Sequence, residues 1–164
     1  MNAVDFPSLG QAEALRQLSV TPSFLQAALV RATPEQLRAK PTPDTFALVE
    51  HACHLRDLER EGYAIRLKRM LSESHPLLNG FEGDVIARQR DYLLQDAMNA
   101  ASEFAIARNA FVARMDRLTP EEMQRTGSFL GRDITVCDLL AMMVDHDREH
   151  VAEIAALVGV KATA

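Results

Sequence analysis

The sequence predicts an all-α protein built as a four-helix bundle. Three stretches free of proline, 44–75, 77–119 and 121–164, are long enough for helices. Within them apolar residues recur every three or four positions, the helical period, rather than every second one. Glycine is scarce, with seven in 164 residues, and no Asn-Gly or Asp-Gly pair stands between alternating segments as a hairpin signal. The pattern therefore favours helices throughout.

Helix-start signals give the order of the elements. Thr33-Pro34-Glu35-Gln36 and Thr119-Pro120-Glu121-Glu122 fit the capping box, in which threonine caps the helix and an acid or amide three residues later caps back. Each is expected to begin a short helical turn, near 34–38 and 120–124. The four main helices are predicted over roughly 9–31, 44–73, 86–117 and 134–158.

Composition indicates one globular domain spanning 1–164, with 48% hydrophobic and 25% charged residues. The formal net charge of -5 argues against binding to nucleic acid or to an anionic membrane surface, which require a basic face. The longest apolar run, Leu139–Val144, is far shorter than a bilayer span. The N-terminal residues lack a signal-peptide pattern, so we expect a cytoplasmic protein.

Histidines lie on the predicted inward faces of the second and fourth helices. His146 and His150 are four residues apart and therefore share one helix face, together with Leu139 and Leu157 among other apolar residues. On a wheel of ~100° per residue, His54 aligns with the apolar residues of its own helix, whereas His51 lies ~60° away. The apolar residues aligned with His54 are Ala47, Leu58 and Ile65.

Two histidines from one helix and one from another can meet at a common point in a bundle core. Neutral imidazole is a usual ligand of zinc, nickel, iron and copper, and three protein ligands leave coordination positions open, as in catalytic sites. The alternative is that these are hydrogen-bonded core histidines. The spacing alone does not decide between a metal site and hydrogen-bonded core histidines.

Two other metal motifs fit poorly. His146-Asp147-Arg148-Glu149-His150 matches the H-x-x-E-H peptidase pattern, but the only later carboxylate is Glu153 on the same helix. A ferritin-like di-iron site needs two Glu-x-x-His units, and the nearest match is a single Asp147-x-x-His150.

Two segments resemble the signatures of the DinB-like (YfiT-like) superfamily. The first is Glu50-His51-Ala52-Cys53-His54-Leu55-Arg56-Asp57-Leu58-Glu59, and the second is His146-Asp147-Arg148-Glu149-His150-Val151. Residues 88–92 and 103–108 are similar to one bacterial branch of that family, and the resemblance is strongest over 41–158. In one respect the chain differs, because many relatives carry tryptophan where this chain has Phe46. We expect that change to affect packing near the second helix more than metal binding.

The resemblance implies an up-down-down-up four-helix bundle, often a homodimer, with His54, His146 and His150 as the ligands of a divalent metal. Nickel or zinc is expected first, followed by iron, cobalt or manganese. Glu50, Asp57 and Glu149 are candidates to orient a ligand imidazole by accepting its second N–H. His51 is a candidate for a fourth ligand or for a base beside the ligands. Salt bridges at the surface or between helices are the alternative role for the acids.

The functional hypothesis that follows is a metal-dependent enzyme acting on a small-molecule substrate. Some relatives transfer low-molecular-weight thiols (bacillithiol, mycothiol or glutathione) to electrophiles, so the resemblance implies a thiol S-transferase or a hydrolase-like enzyme. Because Cys53 lies ~100° from His54 on the wheel, the reacting thiol would come from a cosubstrate. The alternatives are a non-catalytic, stress-related metal-binding dimer and a plain structural bundle.

Overall fold

A computed structural model describes residues 10–160, which form a mostly helical protein. Ten helical segments occur in this range: α1 (Gln11–Arg31), α2 (Pro34–Arg38), α3 (Leu48–Asp57), a π-helical segment (Leu58–Tyr63), α4 (Ala64–Ser72), α5 (Gly83–Gln89), a 3₁₀ turn (Tyr92–Leu94), α6 (Ala97–Asp116), α7 (Pro120–Met123) and α8 (Val136–Val158). The three short strands are β1 (Leu77–Leu78), β2 (Thr126–Phe129) and β3 (Arg132–Thr135).

The bundle consists of α1, the continuous run from α3 through the π-helical segment to α4, α6 and α8. Helix α1 packs against α6 and α8, and α3 packs against α6. The predicted all-α class and the up-down-down-up four-helix bundle are confirmed. Both predicted capping boxes are present, at Thr33 with Gln36 and at Thr119 with Glu122. Among residues 10–160, no helix has the length and apolar character needed to cross a membrane.

A layer of polar side chains crosses the middle of the bundle and separates two apolar clusters. On α8, the buried apolar residues from Val136 to Val144 belong to one cluster and Ile154 belongs to the other. The remaining helices divide in the same way, and each contributes polar residues between the clusters. These are Thr21 from α1, His54 and Glu59 from the second helix run, Arg108 from α6, and His146, Asp147 and His150 from α8. The candidate site lies in this layer.

The predicted third helix, 86–117, is wrong because the chain is broken into α5, a 3₁₀ turn and α6. Asp91 has a left-handed backbone with φ 47°, which ends the first segment. The next residue, Tyr92, is fully buried and its hydroxyl donates to Asp57 Oδ2 at 2.6 Å. Asp96 then caps α6 by accepting from the Asn99 N–H at 2.9 Å. A tertiary contact thus outweighs the local helical pattern.

The π-helical segment changes which residues face inward after Leu58. The N–H of Ala64 donates to the carbonyl of Glu59, five residues earlier, so this turn holds one more residue than an α-helical turn. Ile65, predicted on the inward face with His54, is consequently 47% exposed. Arg66 and Leu67 are buried in its place.

A β-hairpin occupies the loop before α8, where the sequence predicted no strand. β2 and β3 pair antiparallel, and β1 adds to β2 in parallel. The hairpin turn is Leu130-Gly131, with φ values of 49° and 78°. A turn with two positive φ values usually carries Asn or Gly at its first position. Because leucine occupies that position here, the sequence gives no signal of a hairpin.

Candidate metal centre

The imidazoles of His54, His146 and His150 converge through their Nε2 atoms. His146 Nε2 lies 3.3 Å from His54 Nε2 and 3.0 Å from His150 Nε2. Two nitrogens bound at ~2.05 Å to one zinc ion stand ~2.9–3.3 Å apart when the angle between the bonds is about 90–109°. Both of these pairs therefore have the separation that a single metal ion requires, and one ligand atom from each of the three residues lies within 4.8 Å of the others. These three residues form one of two groups of potential metal ligands in the described chain.

Burial keeps the three imidazoles neutral. His54 and His150 are buried and His146 is partly buried. Burial, helped by the neighbouring His150, lowers the pKa of His54 to about 3 and that of His146 to about 2. Burial also lowers the pKa of His150, to about 4, although the Asp147 carboxylate opposes this shift. At neutral pH each ring therefore offers a lone pair, which is the form that binds a metal.

Two atoms of the triad lack hydrogen-bond partners. Nδ1 of His54 and Nδ1 of His146 are buried and bond to no other atom of residues 10–160. A buried polar atom without a partner normally costs about 1–3 kcal/mol, so such atoms concentrate at sites that serve a ligand. Two buried imidazoles that each keep one unpaired nitrogen are difficult to explain as core residues alone.

Gly83, the first residue of α5, packs directly against the His54 ring. A Cβ atom at this position would lie 2.8 Å from Cε1 and 2.9 Å from Nδ1 of His54, closer than side chains tolerate. The ring of His54 is thus held between Gly83 on one side and the other triad histidines on the other. Sequence reasoning gave Gly83 no role.

His51 contacts the triad from behind His150. The two Nδ1 atoms lie 2.8 Å apart, and His51 is 1% exposed. On its other side, His51 Nε2 lies 3.6 Å from Glu153 Oε2. Burial lowers the pKa of His51 to about 3, helped by the neighbouring His150 and His54. His51, His150 and Glu153 form the second group of potential metal ligands in the described chain.

Phe46 covers the histidines from the N-terminal end of α3. Its ring centroid lies 5.3 Å from that of His54, 5.6 Å from that of His51 and 6.5 Å from that of His150. As expected, Phe46 packs near the second helix, and its partners there are the site histidines themselves. Its effect on metal binding stays a prediction.

The acids expected to orient the ligands are engaged elsewhere. Glu50 Oε2 accepts from the backbone N–H of Ala47 at 2.8 Å and pairs with Lys40. Asp57 accepts from Arg56, Arg90 and Tyr92. Glu149 is exposed on α8. Within the described residues, the structure brings none of these three carboxylates to the triad, whereas it does bring His51 there.

A buried ion network supports the site, and sequence reasoning missed it. Arg108 is fully buried and donates to both Glu59 and Asp147, with Nη2 at 2.9 Å from Glu59 Oε2 and 3.0 Å from Asp147 Oδ1. Thr21 Oγ1 donates to Asp147 Oδ2 at 2.6 Å. Because Asp147 follows His146 on α8, the network anchors the helix that carries two of the three triad histidines.

A sequence signal for this network did exist. Arg108 takes the place of an apolar residue in a helical series with Phe104, Phe111 and Met115, all of which are buried. A charge on an inward face implies an opposite charge to pair with it, since an isolated buried charge is very costly.

A cleft of about 620 Å³ opens beside the triad. Its walls include His51, His54 and His150, so two triad residues and the partner of one line the same space. Phe46 and Leu157 contribute apolar surface. The volume lies within the range of small-molecule sites.

Comparison with known proteins identifies the family. The sequence model of the DinB superfamily matches residues 17–154, which is most of the chain. The chain belongs to the DinB superfamily. The DinB match includes all three triad histidines, His51 and the Arg108 network.

A solved structure similar to this DinB chain is that of YfiT from Bacillus subtilis, described as a probable metal-dependent hydrolase with an unusual four-helix bundle topology. The two share 20% sequence identity, the match covers 94% of this chain and 93% of YfiT, and the TM-score is 0.84. At this identity the likeness establishes the fold. No functionally curated protein matches the sequence.

Proposed function

We propose that this DinB-superfamily protein binds one divalent metal ion through His54, His146 and His150 and uses it in a reaction of a small-molecule substrate. The observation that carries the proposal is the convergence of three neutral Nε2 atoms, two pairs of which are 3.0 and 3.3 Å apart. The unpaired Nδ1 atoms of His54 and His146 support it. So does the description of YfiT as a probable metal-dependent hydrolase.

The donor set is consistent with the metals expected. Three imidazoles and no carboxylate suit zinc, nickel, iron or copper better than magnesium or calcium. We propose nickel or zinc first, with iron, cobalt and manganese as the other candidates. When bound, such an ion supplies Lewis acidity, which lowers the pKa of a coordinated water or thiol and makes it a nucleophile at neutral pH.

His51 and Glu153 have a positioning role in this proposal. For His150 to present the Nε2 lone pair, its Nδ1 must carry the proton, and His51 Nδ1, 2.8 Å away, must accept it in a hydrogen bond. The proton of His51 is then on Nε2, which faces the Glu153 carboxylate at 3.6 Å. This arrangement fixes the orientation of both rings, the usual role of a hydrogen bond to a metal-bound histidine.

The protein's own thiol next to the site is unsuited to act as the nucleophile. Cys53 is buried and its thiol donates to Gln95 Oε1 at 3.5 Å. Burial raises the pKa of Cys53 to about 12, so the reactive thiolate is scarce at neutral pH. The nucleophile is therefore water, for a hydrolase, or a low-molecular-weight thiol, for an S-transferase.

Two further expectations from the sequence stay predictions, namely the single domain spanning 1–164 and the homodimer.

The proposal is tested by metal analysis of the purified, untagged protein before and after chelation. We expect about one metal ion per chain, lost in each of His54→Ala, His146→Ala and His150→Ala while the circular dichroism stays helical. His75→Ala is the matched control, because His75 is exposed and bonds to Thr126 and Asp133 away from the triad. Absence of metal, with no uptake when each ion is added back, would contradict the proposal.

The reaction is tested next with the metal-loaded protein. Assays of ester and amide hydrolysis, and of thiol transfer to small electrophiles, are run on the wild type and on His146→Ala. Turnover that depends on the metal and on His146 supports an enzyme. A fully loaded protein inactive in both assays would favour the non-catalytic metal-binding module.

A further inference from the structure

The cleft beside the triad carries negative charge from three separate parts of the chain. Asp44 comes from the loop before α3, Asp84 from α5 and Glu153 from α8, and all three are exposed side chains lining the cleft. No lysine or arginine lines it. The cleft therefore concentrates negative charge more strongly than the net charge of -5 over 164 residues would lead one to expect.

These three carboxylates have no lysine or arginine partner among the described residues. Over residues 10–160, no lysine or arginine nitrogen lies within 4.0 Å of any of them, and the only basic neighbours of Glu153 are His51 and His150. The cation nearest in sequence to Asp44 is Lys40, whose Nζ lies 3.5 Å from the Glu50 carboxylate instead. The charge is thus available to a ligand.

The cleft also has an apolar wall and an unused polar atom. The Phe46 ring and Leu157 line it, and the face of an aromatic ring attracts cations. His54 lines the same cleft, is 7% exposed, and keeps a buried Nδ1 with no hydrogen-bond partner in the described part of the chain. An unpaired buried nitrogen in the wall distinguishes this cleft from an ordinary acidic surface.

We infer that the cleft selects a small molecule with a positively charged group on an apolar or aromatic body. The inference rests on the proposed function, since it names the substrate class of that same site. The carboxylates stabilise the positive group, and Phe46 with Leu157 contacts the body. A thiol of net negative charge, such as glutathione, fits this cleft less well than an aminothiol or another amine.

The expected selectivity follows from Coulomb's law. A ligand with one unit charge about 7 Å from a single carboxylate in water binds ~3-fold more tightly if it is positive and ~3-fold more weakly if it is negative. Three carboxylates acting on ligands of opposite sign give a preference of at least about tenfold after screening by salt. The preference should weaken as ionic strength rises.

The test compares two probes of opposite charge and similar size, benzyltrimethylammonium and benzenesulfonate. Neither is a strong metal ligand, so both can be titrated into chelated protein and into zinc-treated protein. Dissociation constants are read from chemical shifts of the His54 ring. We expect the cation to bind at least tenfold more tightly in the chelated sample, and by a smaller margin in the zinc-treated sample because the bound dication offsets part of the carboxylate charge.

Two triple variants locate the charge responsible. In Asp44→Asn/Asp84→Asn/Glu153→Gln, the preference for the cation should fall to about threefold or less. Asp116→Asn/Glu121→Gln/Asp133→Asn makes the same change in net charge with exposed residues outside the cleft, and should keep the preference. A preference that falls equally in both variants would overturn the inference.

The remaining outcomes separate this inference from the proposed function. In the chelated sample, equal binding of the two probes, tighter binding of the anion, or no saturable binding of the cation overturns the inference, whether or not zinc binds to the protein. Failure of zinc to bind overturns the proposed function, while the chelated sample still decides whether the cleft selects cations.

Discussion

Replacing Gly83 with alanine should weaken the metal site through a single contact. The added Cβ would lie 2.8 Å from His54 Cε1, whereas ordinary contacts begin at 3.4 Å, so the ring or the helix must move by about 0.6 Å. Metal–ligand distances tolerate only ~0.2 Å. We therefore expect a loss of about 10–100-fold in zinc affinity, as for other changes that misplace a ligand, or ~1.4–2.8 kcal/mol.

The substitution is otherwise conservative. Gly83 is a helical residue of α5 outside the left-handed region, and alanine has the higher helix propensity by up to ~1 kcal/mol. Gly83→Ala should therefore lower the free energy of unfolding of the metal-free protein by less than a substitution that leaves a cavity in the core. Gly80→Ala is the matched control, because its Cβ would meet only Leu130 Cδ2, at 3.6 Å.

The assay is competition for zinc against a chromophoric chelator, with unfolding by urea measured in parallel. A dissociation constant for Gly83→Ala within threefold of the wild type would refute the reasoning. A second check uses the Gly80→Ala control, whose zinc affinity should equal that of the wild type. An equal loss in that control would show that the loss does not come from the contact with His54.

Three further predictions follow from the same geometry. Arg108→Met leaves Glu59 and Asp147 buried without their cation and should lower the free energy of unfolding by about 3–5 kcal/mol, measured by urea denaturation; a loss below 1 kcal/mol would contradict the network's importance. His51→Ala leaves three metal ligands but frees the His150 ring, so zinc should still bind at one ion per chain with about 10-fold weaker affinity by chelator competition; an unchanged affinity would contradict the positioning role. Burial lowers the pKa of the four site histidines from 6.5 to between about 2 and about 4, so below pH 6.5 the unfolded chain binds more protons than the folded chain. Stability of the metal-free protein should therefore fall from pH 7.5 to 5.5, by up to ~1.4 kcal/mol for each histidine, and equal urea midpoints at the two pH values would contradict the shifts.

The parts of the fold that depend on local periodicity were predictable from the sequence. The spacing of His146 and His150 places them on one face of any α-helix, and the structure brings them to His54, which the wheel also placed on an inward face. The two capping boxes are equally local, since their partners are three residues apart. Such features need no knowledge of the neighbouring helices.

Features that depend on distant residues were not predictable. The break between α5 and α6 follows from the buried contact of Tyr92 with Asp57, 35 residues earlier. The π-helical segment turns Ile65 outward although the α-helical wheel placed it inward. His51 lies off the inward face on that wheel, yet its ring reaches His150 because the two helices pack side by side there.

Locating the metal directly tests the central claim. Crystals of the metal-loaded protein, measured at the absorption edge of the bound metal, should show one anomalous peak per chain bonded to Nε2 of His54, His146 and His150. Bond lengths of ~2.0–2.1 Å are expected if the metal is zinc. A peak at His51, His150 and Glu153 instead, or no peak within reach of the triad, would contradict the account.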